Sequence, residues 1–433
     1  MRWRFLVELS ILFSNFNLRF ILEQEPNYKN IKNIKNMKGN KYLLLVDSEE
    51  FSRELIKSIS DSRQSIDVQF MTFEADLVGK KFANLFIDKA RKGIKIRVII
   101  DYFSDLMVSD ELTFFPLCSL KTFKKIRKEH FETQEMISKM REKGILVKRT
   151  NPAGFLKTKF FFRNHKKMII IDKKVAFSGG FNLSEHNFSW HDFMVKIRGE
   201  IVKDIIKDFE NTWNEHSEKL DKVNKKDFIL NQDYLSKNNS LFKFILSLIK
   251  KAQKSIIIES PYLSGKNIIK ELIDAAKRGV KIKLIIPALN NVCFYQLLFK
   301  YYQKIFFKNN IELYLYNGKA DISGKAGYEK FNGMTHAKIM LVDDEIAVFG
   351  SSNFNEFNFL STQEMEIITK NKLFINQIKK RIFEVDIQNS KKTKNISNPD
   401  IFNLIVGKVI YNFLYHYFKF QALLNLLISN LKR

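Results

Sequence analysis

Two patterns alternate along the chain. Short apolar runs rich in Ile, Val and Phe are separated by amphipathic stretches that stop at glycine. The segment KARKGIKIRVIID, ending at Asp101, reads as the end of a helix, a glycine stop and a strand, and AAKRGVKIKLIIP, ending at Pro287, repeats it. Upstream, SRQSIDVQFMTFE (Ser62 to Glu74) and AQKSIIIESPYL (Ala252 to Leu263) each read as a strand leading into the next helix. Strand–helix–strand units in both halves predict parallel pairing and an α/β fold built twice.

The two ends differ from this middle. Between Arg2 and Glu23, Phe5, Leu9, Leu12, Phe13, Phe16 and Phe20 recur at helical spacing among Arg2, Arg4 and Arg19. That pattern suits either an interfacial amphipathic helix or a helix packed on the protein. The stretch YKNIKNIKNMKGN (Tyr28 to Asn40) and a second, QNSKKTKNISNP (Gln388 to Pro399), are polar, basic and of low complexity, and read as linkers. The tail from Asp400 to Arg433 is aromatic and aliphatic with sparse lysines, as expected of one or two helices with a broad apolar face. Placed after a linker, it favours a membrane interface over docking on the core. The expected organisation is therefore an N-terminal amphipathic segment and basic linker (1–40), a first α/β domain (41–225), a second (226–388), and a linker with an amphipathic helical tail (389–433).

Composition adds a partner class. The 433 residues, 45% hydrophobic, suffice for two ordinary domains. Lys and Arg outnumber Asp and Glu by 73 to 47, a net charge of +26, which favours an anionic partner, either nucleic acid or an acidic membrane surface. No apolar run is long enough to span a bilayer, and no secretory cleavage site follows the N-terminal segment. Cys118 and Cys293 lie far apart and lack zinc-site spacing, which fits ordinary packing in a reducing compartment.

A third repeat carries the chemistry. His165-Lys166-Lys167 precedes four apolar residues, Asp172, and then Gly179-Gly180-Phe181-Asn182. His336-Ala337-Lys338 precedes four apolar residues, Asp343, and then Gly350-Ser351-Ser352-Asn353. The separation from histidine to asparagine is 17 in both. Alternate residues of an extended strand share a face, so His165 lies with Lys167 and His336 with Lys338. A turn after each aspartate sends the chain back, and the glycine segment returns Asn182 or Asn353 beside its histidine. Each half thus offers an imidazole, an ammonium and a carboxamide. An imidazole can attack phosphorus, while the ammonium and carboxamide hold the non-bridging oxygens. No carboxylate cluster suited to a metal accompanies them, so neither metal nor cofactor is expected. The chain has only seven histidines, and two at matching positions of long matching motifs leave little room for coincidence.

With both motifs in hand, residues 41 to 388 resemble the phospholipase D superfamily, whose mark is HxKxxxxD followed by the glycine–asparagine return. The resemblance implies two phospholipase D-like α/β/α sandwich domains related by pseudo-twofold symmetry, with one active site at their interface. It implies catalytic roles for His165, Lys167, Asp172, His336, Lys338 and Asp343, the two aspartates as supports at the strand ends. Asn182, Asn353 and Ser351 would bind phosphate, with Gly180 leaving the Ser351 hydroxyl contact to one half only. An acidic residue 27 to 28 positions after each histidine would orient that histidine's ring; Asp192 and Glu364 stand there. One histidine would form a phosphohistidine while the other acts as general acid, then base.

Within the superfamily, TFEADLVGKKFANLFIDKARKGIKIRVIID, WHDFMVKIRG and SPYLSG look most like bacterial cardiolipin synthases, which join two phosphatidylglycerols and release glycerol. The expectation is a phosphatidyltransferase working through a phosphatidyl-histidine on either His165 or His336, with His165 favoured. It would sit peripherally or interfacially at the cytoplasmic face of a bacterial cell membrane, with an anionic phospholipid membrane and a phospholipid substrate as partners. Aromatic segments FFPL (Phe114 to Leu117) and FLKTKFFF (Phe155 to Phe162) suit either an apolar lid or core packing. The rival expectations are a phospholipase D-type hydrolase, a nuclease whose charge tracks a nucleic-acid backbone, and a non-catalytic membrane-binding protein. The greasy termini weigh against the nuclease, and the intact motifs against the non-catalytic protein.

Overall fold

The computed structural model describes residues 39–114, 119–154, 159–215, 227–232, 240–318 and 334–393, with isolated positions between 405 and 420. The N-terminal amphipathic segment, its linker, both cysteine side chains and most of the C-terminal tail lie outside the described residues.

The duplicated pattern folds into two sheets of matching topology. The first holds β1 (Lys41–Val46), β2 (Ser65–Phe70), β3 (Lys95–Asp101), β4 (Leu146–Thr150), β5 (Met168–Ile171), β6 (Val175–Gly179) and β7 (Phe193–Arg198), in the order β1-β7-β6-β5-β2-β3-β4. The second holds β8 (Asp227–Gln232), β9 (Ser255–Glu259), β10 (Lys281–Pro287), β11 (Glu312–Tyr316), β12 (Ile339–Val342), β13 (Ile346–Gly350), β14 (Thr362–Thr369) and β15 (Ser390–Lys392), in the order β8-β14-β13-β12-β9-β10-β11-β15. Strands β2, β3 and β4 run parallel, as do β9, β10 and β11. Helices Leu77–Arg91 and Lys266–Lys277 make the crossovers, and each is followed by a glycine at positive φ, Gly93 (83°) and Gly279 (90°), where L side chains are strained.

Each motif strand forms a tight hairpin with the strand that follows it. Asp172 and Lys173 both take positive φ (52° and 54°), as do Asp343 and Asp344 (54° and 57°). Two successive left-handed residues match the right-handed twist of the flanking strands and close a two-residue turn.

Because these sheets are covered on both faces, β5 and β12 are apolar throughout. Ile169 and Ile171 face the helices Asp47–Asp61, Leu77–Arg91 and Leu120–Glu142, while Met168 and Ile170 face a central core. In the second half Met340 and Val342 face outward, and Ile339 and Leu341 face the same central core. Helices Ile201–Trp213 and Lys372–Ile378 also pack into it, through Ile205, Phe209, Phe374 and Ile378. The halves thus share one apolar interior, and the motif ends meet at its edge.

One expectation needs correcting. The stretch read as a linker from Gln388 begins with strand β15, which adds to the sheet edge at β11. Its Lys392 pairs with Glu312 at 2.9 Å and lies over the Tyr314 ring at 5.8 Å, so this polar segment is held by backbone pairing and charge rather than by an apolar face.

Candidate active site

Short backbone links set the site. Arg163–Asn164 pairs in parallel with Thr362–Gln363, and the His165 amide donates to the Gln363 carbonyl at 2.9 Å. Around the pseudo-twofold axis, His191 bridges Thr335, and the His336 amide donates to the His191 carbonyl at 2.7 Å. Each histidine is therefore stitched to the segment that carries the other half's acidic residue.

This stitching overturns the expected pairing of acids with histidines. Nδ1 of His165 contacts Glu364 at 3.0 and 3.2 Å, and Nδ1 of His336 contacts Asp192 Oδ2 at 2.8 Å. Each acid orients the histidine of the opposite half. Sequence distance misleads here because each acid, though its strand lies in the same sheet as its own motif, sits at the strand start that is bridged to the opposite half. A carboxylate on Nδ1 leaves Nε2 of each ring for chemistry.

Both lysines share this surface and are fully buried. Lys167 Nζ donates to the His165 carbonyl at 2.7 Å. Lys338 Nζ donates to the His336 carbonyl at 2.6 Å and lies 2.9 and 3.1 Å from the ring nitrogens of His336. Burial, with Lys338 nearby, pushes Lys167 down to about 7 against the pull of Glu364 and Asp192. Burial likewise pushes Lys338 down to about 8. Lys166, between His165 and Lys167, points the other way and pairs with buried Asp208 at 2.8 Å, as strand alternation requires.

The two histidine–acid pairs are not equivalent. Burial raises both acids, but for Glu364 the charges of His165 and Lys167 and the Ser351 hydroxyl outweigh it, and its carboxyl falls below the usual range. Asp192 stays raised at about 7, with burial outweighing Lys338. Both rings sit below the ordinary histidine range. Burial leads in each case, opposed by Glu364 at His165 and reinforced by Lys338 and Lys167 at His336, which is lowered furthest.

The departure between Gly180 and Ser351 has a structural cause. A Cβ on Gly180 would lie 2.2 Å from both carboxylate oxygens of Asp192, so any side chain there must displace that carboxylate. Ser351, the matching residue, turns its hydroxyl onto Glu364 and receives the Met365 amide at 3.0 Å. In this arrangement the Ser351 hydroxyl supports the carboxylate that orients His165.

Asp172 and Asp343, named with the catalytic group, sit seven residues from their histidines, roughly 20 Å of extended chain. Asp172 accepts from the amides of Arg63, Gln64 and Ser65 at 2.7 to 3.1 Å, and Asp343 from those of Gln253, Lys254 and Ser255 at 2.7 to 3.1 Å. Both hold the start of the neighbouring parallel strand and touch no reacting group. Asn182 donates to Asn187 at 2.6 Å, and its oxygen faces the Thr72 amide at 3.4 Å; Asn353 has a buried Oδ1 with no partner among the described residues. Of the expected aromatic lid, Phe162 is buried and Phe114 and Phe161 are exposed, while residues 115–117 and 155–158 lie outside the described residues.

Several site residues were missed from sequence. Glu366 lies two residues after Glu364 on β14, hence on the same face, and that spacing was the available signal. It accepts from the Ser352 amide at 2.6 Å, and burial raises its carboxyl well above the usual range. Thr362 donates to Glu364 at 2.7 Å. Trp190 and Tyr262 wall the His336 ring at centroid distances of 5.0 and 6.2 Å.

A family model described as "Cardiolipin synthase, PLD-like domain" matches residues 55–213 and 245–386, and so covers both motif histidines. The chain belongs to this family. It is an enzyme of the phospholipase D superfamily, of the cardiolipin synthase-like kind. Among its relatives is a probable cardiolipin synthase of Bacillus subtilis, 23% identical over 81% of this chain and 66% of that protein. Another is cardiolipin synthase B of Escherichia coli K12, 24% identical over 88% of this chain and 89% of that protein. The chain thus spans just under two thirds of the first of these and most of the second. Among solved structures it resembles the phosphatidylserine synthase of Haemophilus influenzae, with a TM-score of 0.63 at 13% identity, covering 92% of this chain and 98% of that one. At that identity the likeness shows the fold. No helix among the described residues is long and apolar enough to cross a membrane.

Proposed function

We propose that this enzyme transfers a phosphatidyl group from one phosphatidylglycerol to another, yielding cardiolipin and glycerol through a phosphatidyl-histidine. The observation that carries this reading is the crossed constellation His165–Glu364 and His336–Asp192, with Lys167 and Lys338 between them, in a chain whose relatives are named cardiolipin synthases.

Chemistry assigns the two histidines. His165 is backed by an ionised Glu364, which stabilises the imidazolium formed when Nε2 attacks phosphorus, so His165 is the nucleophile. His336 protonates the leaving glycerol oxygen. An anionic phosphodiester between the lysines offsets the field that depresses the His336 ring and makes that protonation accessible. Lys167, Lys338, Asn182 and Asn353 hold the non-bridging oxygens. His336, now neutral, takes the proton of the acceptor hydroxyl as that oxygen displaces His165. The work is expected at an anionic membrane surface, which the net charge of +26 favours.

Purified protein incubated with phosphatidylglycerol vesicles should produce cardiolipin and free glycerol, and His165→Ala and His336→Ala should each abolish both. Phosphatidic acid as the main product would move the reading to a hydrolase using the same residues. Absence of any lipid turnover would overturn it.

A further inference from the structure

Beside His336 lies a polar cluster that the transfer chemistry leaves unused. Met107–Val108 and Glu111–Leu112 form a short hairpin, and its two tip residues Ser109 and Asp110 take positive φ (49° and 63°). The tip reaches across the halves, where Asp110 Oδ2 accepts from Asn291 Nδ2 at 3.0 Å. Asp110 Oδ1 also lies 3.8 Å from His186 Nε2, while Nδ1 of that ring lies 3.4 Å from Glu74. Asn291 accepts from the Tyr262 hydroxyl at 2.6 Å.

The cluster returns to the catalytic histidine by two routes. Tyr262 stands edge-on to His336, and His186 stacks edge-on with Trp190 at 5.3 Å, which in turn meets His336. Depth grades along it, with Glu74 and His186 buried and the Asp110 side chain 36% exposed. Leu289 and Val292, flanking Asn291, expose apolar side chains at the same rim. Charge within the cluster is largely compensated. Burial disfavours the His186 cation, yet Glu74 and Asp110 raise it to about 9. What the cluster offers a ligand is therefore hydrogen-bonding capacity beside the general base, under an apolar rim.

We propose that Asp110 and Asn291 form a subsite for a second hydroxyl on the alcohol that reacts at His336, and so select a glycerol-type acceptor over water and simple alcohols. This rests on the phosphatidyl-transfer reading above. The reacting hydroxyl gives its proton to His336 as its oxygen bonds to phosphorus and the phosphorus–nitrogen bond to His165 breaks. A glycerol headgroup carries another hydroxyl on a neighbouring carbon, from which a carboxylate can accept and to which a carboxamide can donate. Water and propan-1-ol carry none, so the contact favours only the polyol at the transition state.

The test is an acceptor competition with phosphatidylglycerol vesicles, labelled glycerol and propan-1-ol. The ratio of labelled phosphatidylglycerol to phosphatidylpropanol is independent of how fast the intermediate forms, so a merely structural defect does not move it. Asp110→Asn keeps a side chain tolerated at positive φ and removes only the charge. It should lower the ratio by roughly tenfold, the scale of a lost charge-assisted hydrogen bond. Asn291→Ala should lower it in the same direction. An unchanged ratio in both variants, with wild-type transfer intact, overturns the subsite alone. No phosphatidyl transfer by the wild type overturns the subsite together with the reading it rests on.

Discussion

At the residue scale, the site buries positive charge beside two rings that must work as bases and acids. His165 must be neutral to attack, and its ring sits below 6.5. Lys167 and Lys338 must be charged to hold phosphate, and they lose charge as pH rises through about 7 and about 8. The predicted kcat/KM profile has its maximum below pH 6.5, because the free enzyme needs His165 neutral and His336 protonated and both rings are lowered, and it falls further as the lysines lose charge. In kcat the alkaline limb should move upward, because the bound anion favours charged lysines. Initial rates against pH at low and saturating lipid check both limbs. A second prediction concerns Gly180, where any Cβ meets the Asp192 carboxylate. Gly180→Ala should displace the carboxylate from His336 and cost on the order of a hundredfold in kcat, equivalent to about 2.7 kcal/mol, in a chain that still folds.

At the scale of elements, the motif strands do two unrelated jobs at their two ends. The histidine end carries the proposed chemistry, while the aspartate end caps the start of a parallel strand with three backbone amides. Asp172→Ala should therefore reduce stability by about 1–3 kcal/mol and leave kcat per folded molecule nearly unchanged, as paired chemical denaturation and activity measurements would show. Burial raises the Asp172 carboxyl, but those amides outweigh it and hold the group below its usual 3.8. Its contribution is present above that value and lost as pH falls through the folded-state value, so Asp172→Ala should flatten the acid side of the stability curve.

Strand and turn assignments were legible in sequence because they depend on local pattern. The β-branched runs, the glycine stops after helices and the hairpin after each motif all appear where the periodicity placed them. What was not legible is what depends on the opposite half. The crossing of Asp192 to His336 and Glu364 to His165 is set by two short backbone bridges, and Asn164 and Thr335 carry no pattern that announces them. Strand β15 was hidden for a similar reason, since SKK pairs through its backbone at an open edge and its side chains read as linker.

At the scale of the whole molecule, crossing makes each half's histidine depend on the other half, so the proposed chemistry needs both. His165 of the first half depends on Glu364 of the second, and His336 of the second on Asp192 of the first. A double-mutant cycle on thermal stability should show coupling of about 1–3 kcal/mol between His165→Ala and Glu364→Gln, and of similar size between His336→Ala and Asp192→Asn. The within-half pairs His165 with Asp192 and His336 with Glu364 should couple more weakly. The reverse pattern would contradict the crossed arrangement. A shared apolar core beneath both motifs holds this geometry rigid, which a site with donors on both sides of an interface needs.

The central claim is covalent transfer at His165, and rapid quenching tests it most directly. Enzyme mixed with phosphatidylglycerol vesicles, quenched under alkaline conditions, digested and mapped by mass spectrometry should carry a phosphatidyl adduct on the peptide containing His165. An adduct on His336 would reverse the roles of the two rings, and cardiolipin formation with no adduct on either histidine at any quench time would contradict the account.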